Sequence, residues 1–387
     1  MKSSLLLYYP LLLILVNILA ANCLSKGSSL SANSSRLKKT LRMSSSVKVT
    51  TYNVLSSHLS GENHFTSCEP KWLDPKYRLN LVKQKLEKEL EDKAVVCLQE
   101  ISHKWVGALH PFFASRGYHF VTGLYGNKFN GYMGVGVAVP TDTYEIMDVS
   151  VQRIADTKQM QRKPKPTLIE KILNRFSGFF LFLAVKLGLM KPKIDFWDNV
   201  LYRTNQMVCA RLRQKSGGES AQPFVVGTYH MPCMFKLPSV MVTHCSLSAQ
   251  HIKRYANGDP FIYMGDFNIK PDSSQYELLT RGTLDKQHPD YPEIEAGDKW
   301  LPDVEPPLMS AYATANGQEP DFTNYAKVRD DPVFVETLDY IFYSDGWDVK
   351  SVEALPHRDS VPGPLPNEDE PSDHILISAD MELQQSK

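Results

Sequence analysis

The sequence predicts a mixed α/β sandwich. Short apolar or β-branched runs recur along the chain, amphipathic helical patterns separate them, and hairpin-like strands close the last third. The first strand is expected at 47–55, which alternates and is rich in Val and Thr. A helix is expected over 77–90, where Leu79, Val82, Leu86 and Leu90 recur at spacings of three and four. Segments 94–98, 135–139, 224–229, 261–264 and 338–343 read as further strands, and 240–255 as a second long helix. Ser216-Gly217-Gly218 and Asn257-Gly258-Asp259 mark turns. Residues 357–371 carry four prolines and several acids, which suits a surface loop. The chain contains no internal repeat.

Composition is that of a globular protein, with 42% hydrophobic and 22% charged residues over 387 positions. One large α/β domain accommodates that length. Net charge is zero but unevenly spread. The first 46 residues hold six basic residues and no acid, which leaves 37 basic and 43 acidic residues in the body, a net of −6. Such a body has no general affinity for a polyanion, whereas a duplex-coating protein is usually basic. Acidic balance suits a protein that gathers a cation. Six cysteines, at 23, 68, 97, 209, 233 and 245, form no C-x-x-C pair. Buried free thiols are therefore expected rather than a zinc site or a disulfide framework.

Lys2, the apolar run 5–20 and the small residues Ala20, Ala21 and Cys23 follow the order of a secretory signal peptide, assigned to 1–23. An uncleaved anchor is the alternative, since the run is just short of a spanning helix. Residues 24–46 hold nine serines and five basic residues without an acid, as a transit peptide or a linker would. A bipartite leader to a plastid and release into the secretory route both remain open. The domain proper is expected over 47–387.

Six short segments share one design, a polar residue at or just past the end of an apolar strand. They are Thr51-Tyr52-Asn53, Leu98-Gln99-Glu100, Thr228-Tyr229-His230, Gly265-Asp266-Phe267-Asn268, Leu338-Asp339-Tyr340 and Ser372-Asp373-His374. Singly each is weak, because a lone Asn or Glu at a strand end usually caps a loop. Gly-Asp-Phe-Asn is stronger, since Asp and Asn two apart point to one face. Strand ends converge on one rim, so all six side chains could share one cleft.

In this order the motifs resemble the endonuclease/exonuclease/phosphatase superfamily across 47–380. Ser310-Ala311-Tyr312, then Glu319-Pro320-Asp321-Phe322-Thr323-Asn324-Tyr325, then Leu338-Asp339-Tyr340-Ile341-Phe342-Tyr343, together with Leu73-Asp74-Pro75-Lys76-Tyr77-Arg78, resemble its branch of deadenylases, nocturnin and the angel proteins. The resemblance implies a two-sheet, four-layer α/β sandwich of the DNase I type. It implies Mg²⁺, with Mn²⁺ as a possible substitute, on Glu100 with Asn53 beside it. Mg²⁺ takes hard oxygen ligands, and as a Lewis acid it offsets phosphoryl charge. Asp266 would orient or deprotonate the attacking water and Asn268 would help hold phosphate. His374, paired with Asp339, would stay protonated and donate to a phosphate oxygen. His230 would be a second donor and Asp373 a further metal or water ligand.

The same resemblance places a base beside Asn324, which can hydrogen-bond its edge, and Phe334, which can stack on its face. Some positions depart from the pattern. Gly131-Tyr132-Met133-Gly134-Val135-Gly136 stands where relatives usually carry Asp-Gly-Cys-Ala, and Met231-Pro232-Cys233 follows His230 in place of the usual Leu. No leucine-rich-repeat docking module is expected. Residues 156–196 read as an insertion with nine basic residues and a strongly apolar stretch at 176–190. That insertion suits a helix packed on the domain's flank, a membrane-surface contact through 168–190, or an RNA-guiding lid. The leading functional expectation is a 3′–5′ exoribonuclease acting on single-stranded RNA. A phosphatase or phosphodiesterase on a small nucleotide is the first alternative, and a non-catalytic membrane-associated module is the second. Fold alone does not separate them.

Overall fold

The structure, a computed structural model, describes residues 46–158, 196–295 and 297–384. The expected leader, the serine-rich stretch up to 45 and residues 159–195 of the expected insertion, with the apolar stretch proposed for membrane contact, lie outside them. Among the described residues no helix is long and apolar enough to cross a membrane.

The described strands are β1 (Ser46–Asn53), β2 (Val95–Ile101), β3 (Tyr118–Leu124), β4 (Gly134–Pro140), β5 (Tyr144–Arg153), β6 (Gln206–Gln214), β7 (Phe224–His230), β8 (Phe261–Asp266), β9 (Met309–Ser310), β10 (Asn324–Ala326), β11 (Phe334–Glu336), β12 (Asp339–Tyr343), β13 (Trp347–Val352) and β14 (Ile377–Leu383). The described helices are α1 (Pro70–Leu73), α2 (Pro75–Glu91), α3 (His103–Ala114), α4 (Phe196–Leu201), α5 (Pro238–Ala256), α6 (Ser274–Arg281) and α7 (Ala311–Asn316). Two six-stranded sheets have the orders β13-β14-β1-β2-β4-β3 and β5-β6-β7-β8-β12-β9, and β10 and β11 form a small separate ribbon.

Side-chain alternation explains the layering. Along β8, Ile262 and Met264 enter the seam between the sheets, where they meet Val47, Val95 and Val137. Phe261 and Tyr263 point the other way and pack under α5 and α6 with Val240, Ile252 and Leu278. On the first sheet, Tyr52, Val96 and Leu98 turn outward onto Val82 and Leu86 of α2 and Leu109 and Phe113 of α3. Helix, sheet, sheet and helix therefore stack in four layers, as expected. Each fully buried aliphatic side chain contributes about 1.5–3 kcal/mol.

Both expected helices are present. Asp74 caps α2 by accepting from Lys76 N at 3.0 Å and Tyr77 N at 2.7 Å, with Pro75 in the first turn. Asn257, in the left-handed region at φ 50°, ends α5 at the expected turn. Cys68, Cys97, Cys209 and Cys245 are buried free thiols, while Cys233 is exposed. The start of the expected insertion belongs to the domain body. Lys158 is buried, ion-paired with Asp298, and its Nζ lies 5.1 and 5.3 Å from the centroids of the Trp197 and Trp300 rings.

Strand direction gathers the polar residues. β1 and β2 are parallel and both run toward the same rim, where Asn53 and Glu100 lie. β7 and β8 are parallel and bring His230 opposite Asp266. β12 is antiparallel to β8, so its first residue, Asp339, pairs with the last of β8, Asp266. β14 is antiparallel to β1, with Ile377 opposite Thr51, so the residues just before it return to this rim. Gln99 ties the sheets together there, its Nε2 donating to Thr51 Oγ1 and to Thr228 Oγ1, each at 2.9 Å.

Candidate active site

Glu100 reaches the rim through a break in the ladder. The β2–β4 register shifts between Leu98 and Ile101, and Glu100 sits at φ 57° in the left-handed region. Bulges of this kind re-aim one side chain at a local backbone cost. Glu100 Oε2 accepts from Ser56 N at 3.0 Å, and Oε1 lies 3.2 Å from Asn53 Nδ2. Asn53 is fully buried and donates from the same nitrogen to Asp266 Oδ2 at 2.9 Å, while its oxygen accepts from Leu55 N at 3.0 Å. In this orientation the Asn53 amide ties the two carboxylates together, where the sequence suggested a metal ligand.

Asp266 is the hub. Its Oδ1 accepts from Asn268 N at 2.8 Å, and Oδ2 lies 3.4 Å from His230 Nε2 and 3.7 Å from His374 Nε2. Asn268, at φ 52°, turns its amide onto Met231 O at 3.0 Å. Gly265 makes the approach possible. At φ 149° a side chain is disfavoured, and a Cβ there would lie 2.0 Å from Tyr229 O. His230 Nδ1 lies 2.8 Å from the Tyr125 hydroxyl, which burial keeps neutral by raising its pKa well above the usual value.

His374 and Asp339 form a buried pair at 2.7 Å. Thr323 Oγ1 donates to the same Asp339 oxygen at 2.7 Å and accepts from Leu338 N and Asp339 N. Burial disfavours the imidazolium, yet the charges of Asp339 and Asp266 outweigh it and raise His374 well above the ordinary histidine range. Burial also pushes the Asp339 carboxyl up, against the pull of His374. Two carboxylates facing one imidazole favour its protonated form.

These side chains open onto a cleft of about 1090 Å³ lined by Glu100, His230, Asp266, Asn268, Asp373 and His374, and also by Asn324 and Phe334. Every residue expected from sequence to act in catalysis or binding is thus at this one site. Asn53 and Asp339 lie directly behind the lining residues, bonded to them. Asn324 is buried and bridged to His374, whereas Phe334 is 36% exposed on the rim.

The donor set fits a hard divalent cation. Glu100, His230 and Asp266 offer ligand atoms within 4.8 Å of one another, as do Asp266, Asp339 and His374. Among the described residues, Asp373 Oδ1 and Asp339 Oδ1 are buried without a hydrogen-bond partner, and burial raises the Asp373 pKa. Orphaned carboxylate oxygens of this kind are what a cation satisfies.

Sequence reasoning passed over the residues that orient this set. Arg78 is fully buried and donates to Pro371 O at 2.5 Å, Val54 O at 2.6 Å and Leu55 O at 2.7 Å, tying the loop after Asn53 to the loop before Asp373. Arg78 and Thr323 lie inside motifs already noted, whereas Tyr125 and Ser56 carry no signal in the sequence.

A model of the endonuclease/exonuclease/phosphatase family matches residues 50–374. The chain belongs to that family. Among curated proteins it is similar to the CCR4-Not complex 3′-5′-exoribonuclease subunit Ccr4 of Coccidioides immitis (strain RS), at 24% identity over 87% of this chain and 47% of that one. The Neurospora crassa Ccr4 subunit is 25% identical over 88% and 46%, so the chain spans about half the length of these relatives. Among solved structures it resembles ANGEL2, a 2′,3′-cyclic phosphatase, in complex with adenosine-2′,3′-vanadate, with TM-score 0.65 and 19% identity, covering 88% of this chain and 96% of that one. It also resembles the human Nocturnin catalytic domain with bound sulfate, with TM-score 0.55 and 17% identity over 88% and 96%. Family membership and the assembled site identify a hydrolytic phosphoesterase or nuclease.

Proposed function

We propose that this family member is a Mg²⁺-dependent phosphodiester hydrolase that shortens single-stranded RNA from its 3′ end. The observation that carries the reading is one cleft in which the carboxylate–histidine cluster adjoins Asn324 and Phe334, so hydrolytic groups and a place for a base are neighbours. Its relatives of the Ccr4 type are 3′-5′-exoribonuclease subunits, which favours a polymer.

Glu100 and Asp373 would hold the cation, and Mg²⁺, with Mn²⁺ as a substitute, suits a set dominated by carboxylate oxygens. When bound, the ion supplies Lewis-acid stabilisation of charge on the phosphoryl oxygens. Asp266, held in place by the donors of Asn53 and Asn268, orients the attacking water and accepts its proton. His374 donates from Nε2 to a phosphate oxygen while Asp339 fixes Nδ1. His230 is the second donor, positioned by Tyr125.

A substrate panel tests the reading. The protein is incubated with Mg²⁺ and, separately, oligo(A), mixed-sequence RNA, a 2′,5′-linked oligomer, an RNA ending in a 2′,3′-cyclic phosphate and dinucleotide phosphates. Stepwise 3′ shortening of RNA is expected. Release of phosphate from the cyclic ends or the dinucleotides alone would move the function to small-phosphoester chemistry.

A further inference from the structure

On the β5–β6 side of the cleft lies a feature the hydrolytic mechanism does not use. Residues 201–205 run along the rim between α4 and β6, and they are pinned at several points. Arg153 donates to Leu201 O and to Arg203 O, the latter at 3.0 Å. Thr204 Oγ1 donates to Tyr125 O and Asn205 Nδ2 to His230 O, both at 2.9 Å. Ile154 N donates to Asn205 O at 3.2 Å.

A segment held this firmly presents two side chains, Tyr202 and Arg203, for which no described residue supplies a side-chain hydrogen-bond or ion-pair partner. Tyr202 is 82% exposed although it lines the cleft. Arg203 also lines the cleft, and among the described residues its guanidinium has no carboxylate partner and its buried Nε no hydrogen-bond partner. Phe235, 55% exposed, faces the same space from the loop after His230. A fixed, exposed aromatic beside an uncommitted guanidinium matches the two faces of a nucleotide, a base to stack and a phosphate to pair.

Sheet order sets the position of this pair relative to the chemistry. Along the rim the second sheet presents Asn205 before β6, then His230 at the end of β7, Asp266 at the end of β8 and Asp339 at the start of β12. Neighbouring strands are about 4.8 Å apart. Arg203 therefore lies on the β5–β6 flank of the hydrolytic centre, and the ribbon carrying Asn324 and Phe334 on the β12 flank.

We propose that Tyr202, Arg203 and Phe235 form a second nucleotide subsite, which grips the part of an RNA chain upstream of the nucleotide being removed. This rests on the reading of the protein as a 3′-end exoribonuclease and adds the reason it would prefer a polymer to a mononucleotide. The terminal base occupies the Asn324–Phe334 side, the scissile phosphate sits at the cluster, and the next nucleotide stacks on Tyr202 and Phe235 with its phosphate on Arg203.

The test compares kcat/KM for 3′-end cleavage of oligo(A) octamer and dimer in the wild type, Arg203→Gln and Tyr202→Ala. A ratio of two substrates in one preparation is insensitive to the fraction of folded enzyme. The wild type is expected to favour the octamer, and each variant to cut that preference about tenfold. Arg203→Gln is also expected to flatten the salt dependence of octamer cleavage by about 0.7 in log–log slope, one phosphate contact. Cleavage of both substrates with the octamer preference unchanged in the variants would overturn the subsite while sparing the hydrolase. No cleavage of either substrate by the wild type would overturn both.

Discussion

At the scale of single residues, the site is a problem in placing protons. In the proposed mechanism His374 acts as a cation, a form that Asp339 and Asp266 favour because their charges outweigh its burial. A phosphate donor of this kind works below its own pKa and fails above it. Asp339→Asn removes the nearest raising charge and lowers the His374 pKa. The alkaline limb of the pH–rate profile is therefore expected to move to lower pH while the acid limb stays near its wild-type place; an unmoved alkaline limb would detach His374 from the chemistry. The sequence made Glu100, Asp266, Asp339 and His374 legible because each closes or precedes an apolar strand. Tyr125, Ser56 and Arg203 were illegible for the converse reason. Tyr125 and Ser56 act through a phenol and a backbone N–H, and the proposed part of Arg203 through a guanidinium, all placed by tertiary contacts with no local pattern to mark them.

At the scale of elements, six strands were readable and they are central ones. β1, β2, β4, β7, β8 and β12 lie inside the two sheets, buried on both faces, and so read as apolar runs. β13, β3, β5 and β9 are edges, while the interior strands β14 and β6 carry the half-buried charges Asp380, Glu382, Arg211 and Arg213. Their sequences, such as Trp347–Val352 and Tyr144–Arg153, mix charged and apolar residues because one face meets water, so propensity marks them poorly. The junction of β7 and β8 depends on Gly265. Gly265→Ala puts a methyl group into the Tyr229 carbonyl and must separate the strands that carry His230 and Asp266. A loss of more than about 1 kcal/mol in urea unfolding is expected, together with a fall in turnover that added Mg²⁺ does not restore. Unchanged stability and rate would mean that the close approach is dispensable.

At the scale of the whole molecule, the acidic body and the basic first 46 residues divide the charge, and the proposed cation would offset the repulsion among the carboxylates gathered at one rim. Ligand binding to the folded state alone stabilises it by about 2.7 kcal/mol at a hundred times Kd. Mg²⁺ is therefore expected to raise Tm, EDTA to reverse the rise, and Glu100→Ala to abolish it along with at least about a hundredfold of activity. A Mg²⁺-induced rise in Tm that survives in Glu100→Ala would move the cation elsewhere. The central claim, that two sheets bring one cation and one phosphate together, is tested most directly by anomalous diffraction from crystals grown with Mn²⁺ and a non-hydrolysable oligo(A). The account expects one Mn²⁺ peak about 2.1 Å from a Glu100 oxygen, with a phosphate of the oligomer beside it in reach of His230 and His374. A phosphate bound away from this rim, or no metal at Glu100 in an enzyme that cleaves at full rate, would contradict it.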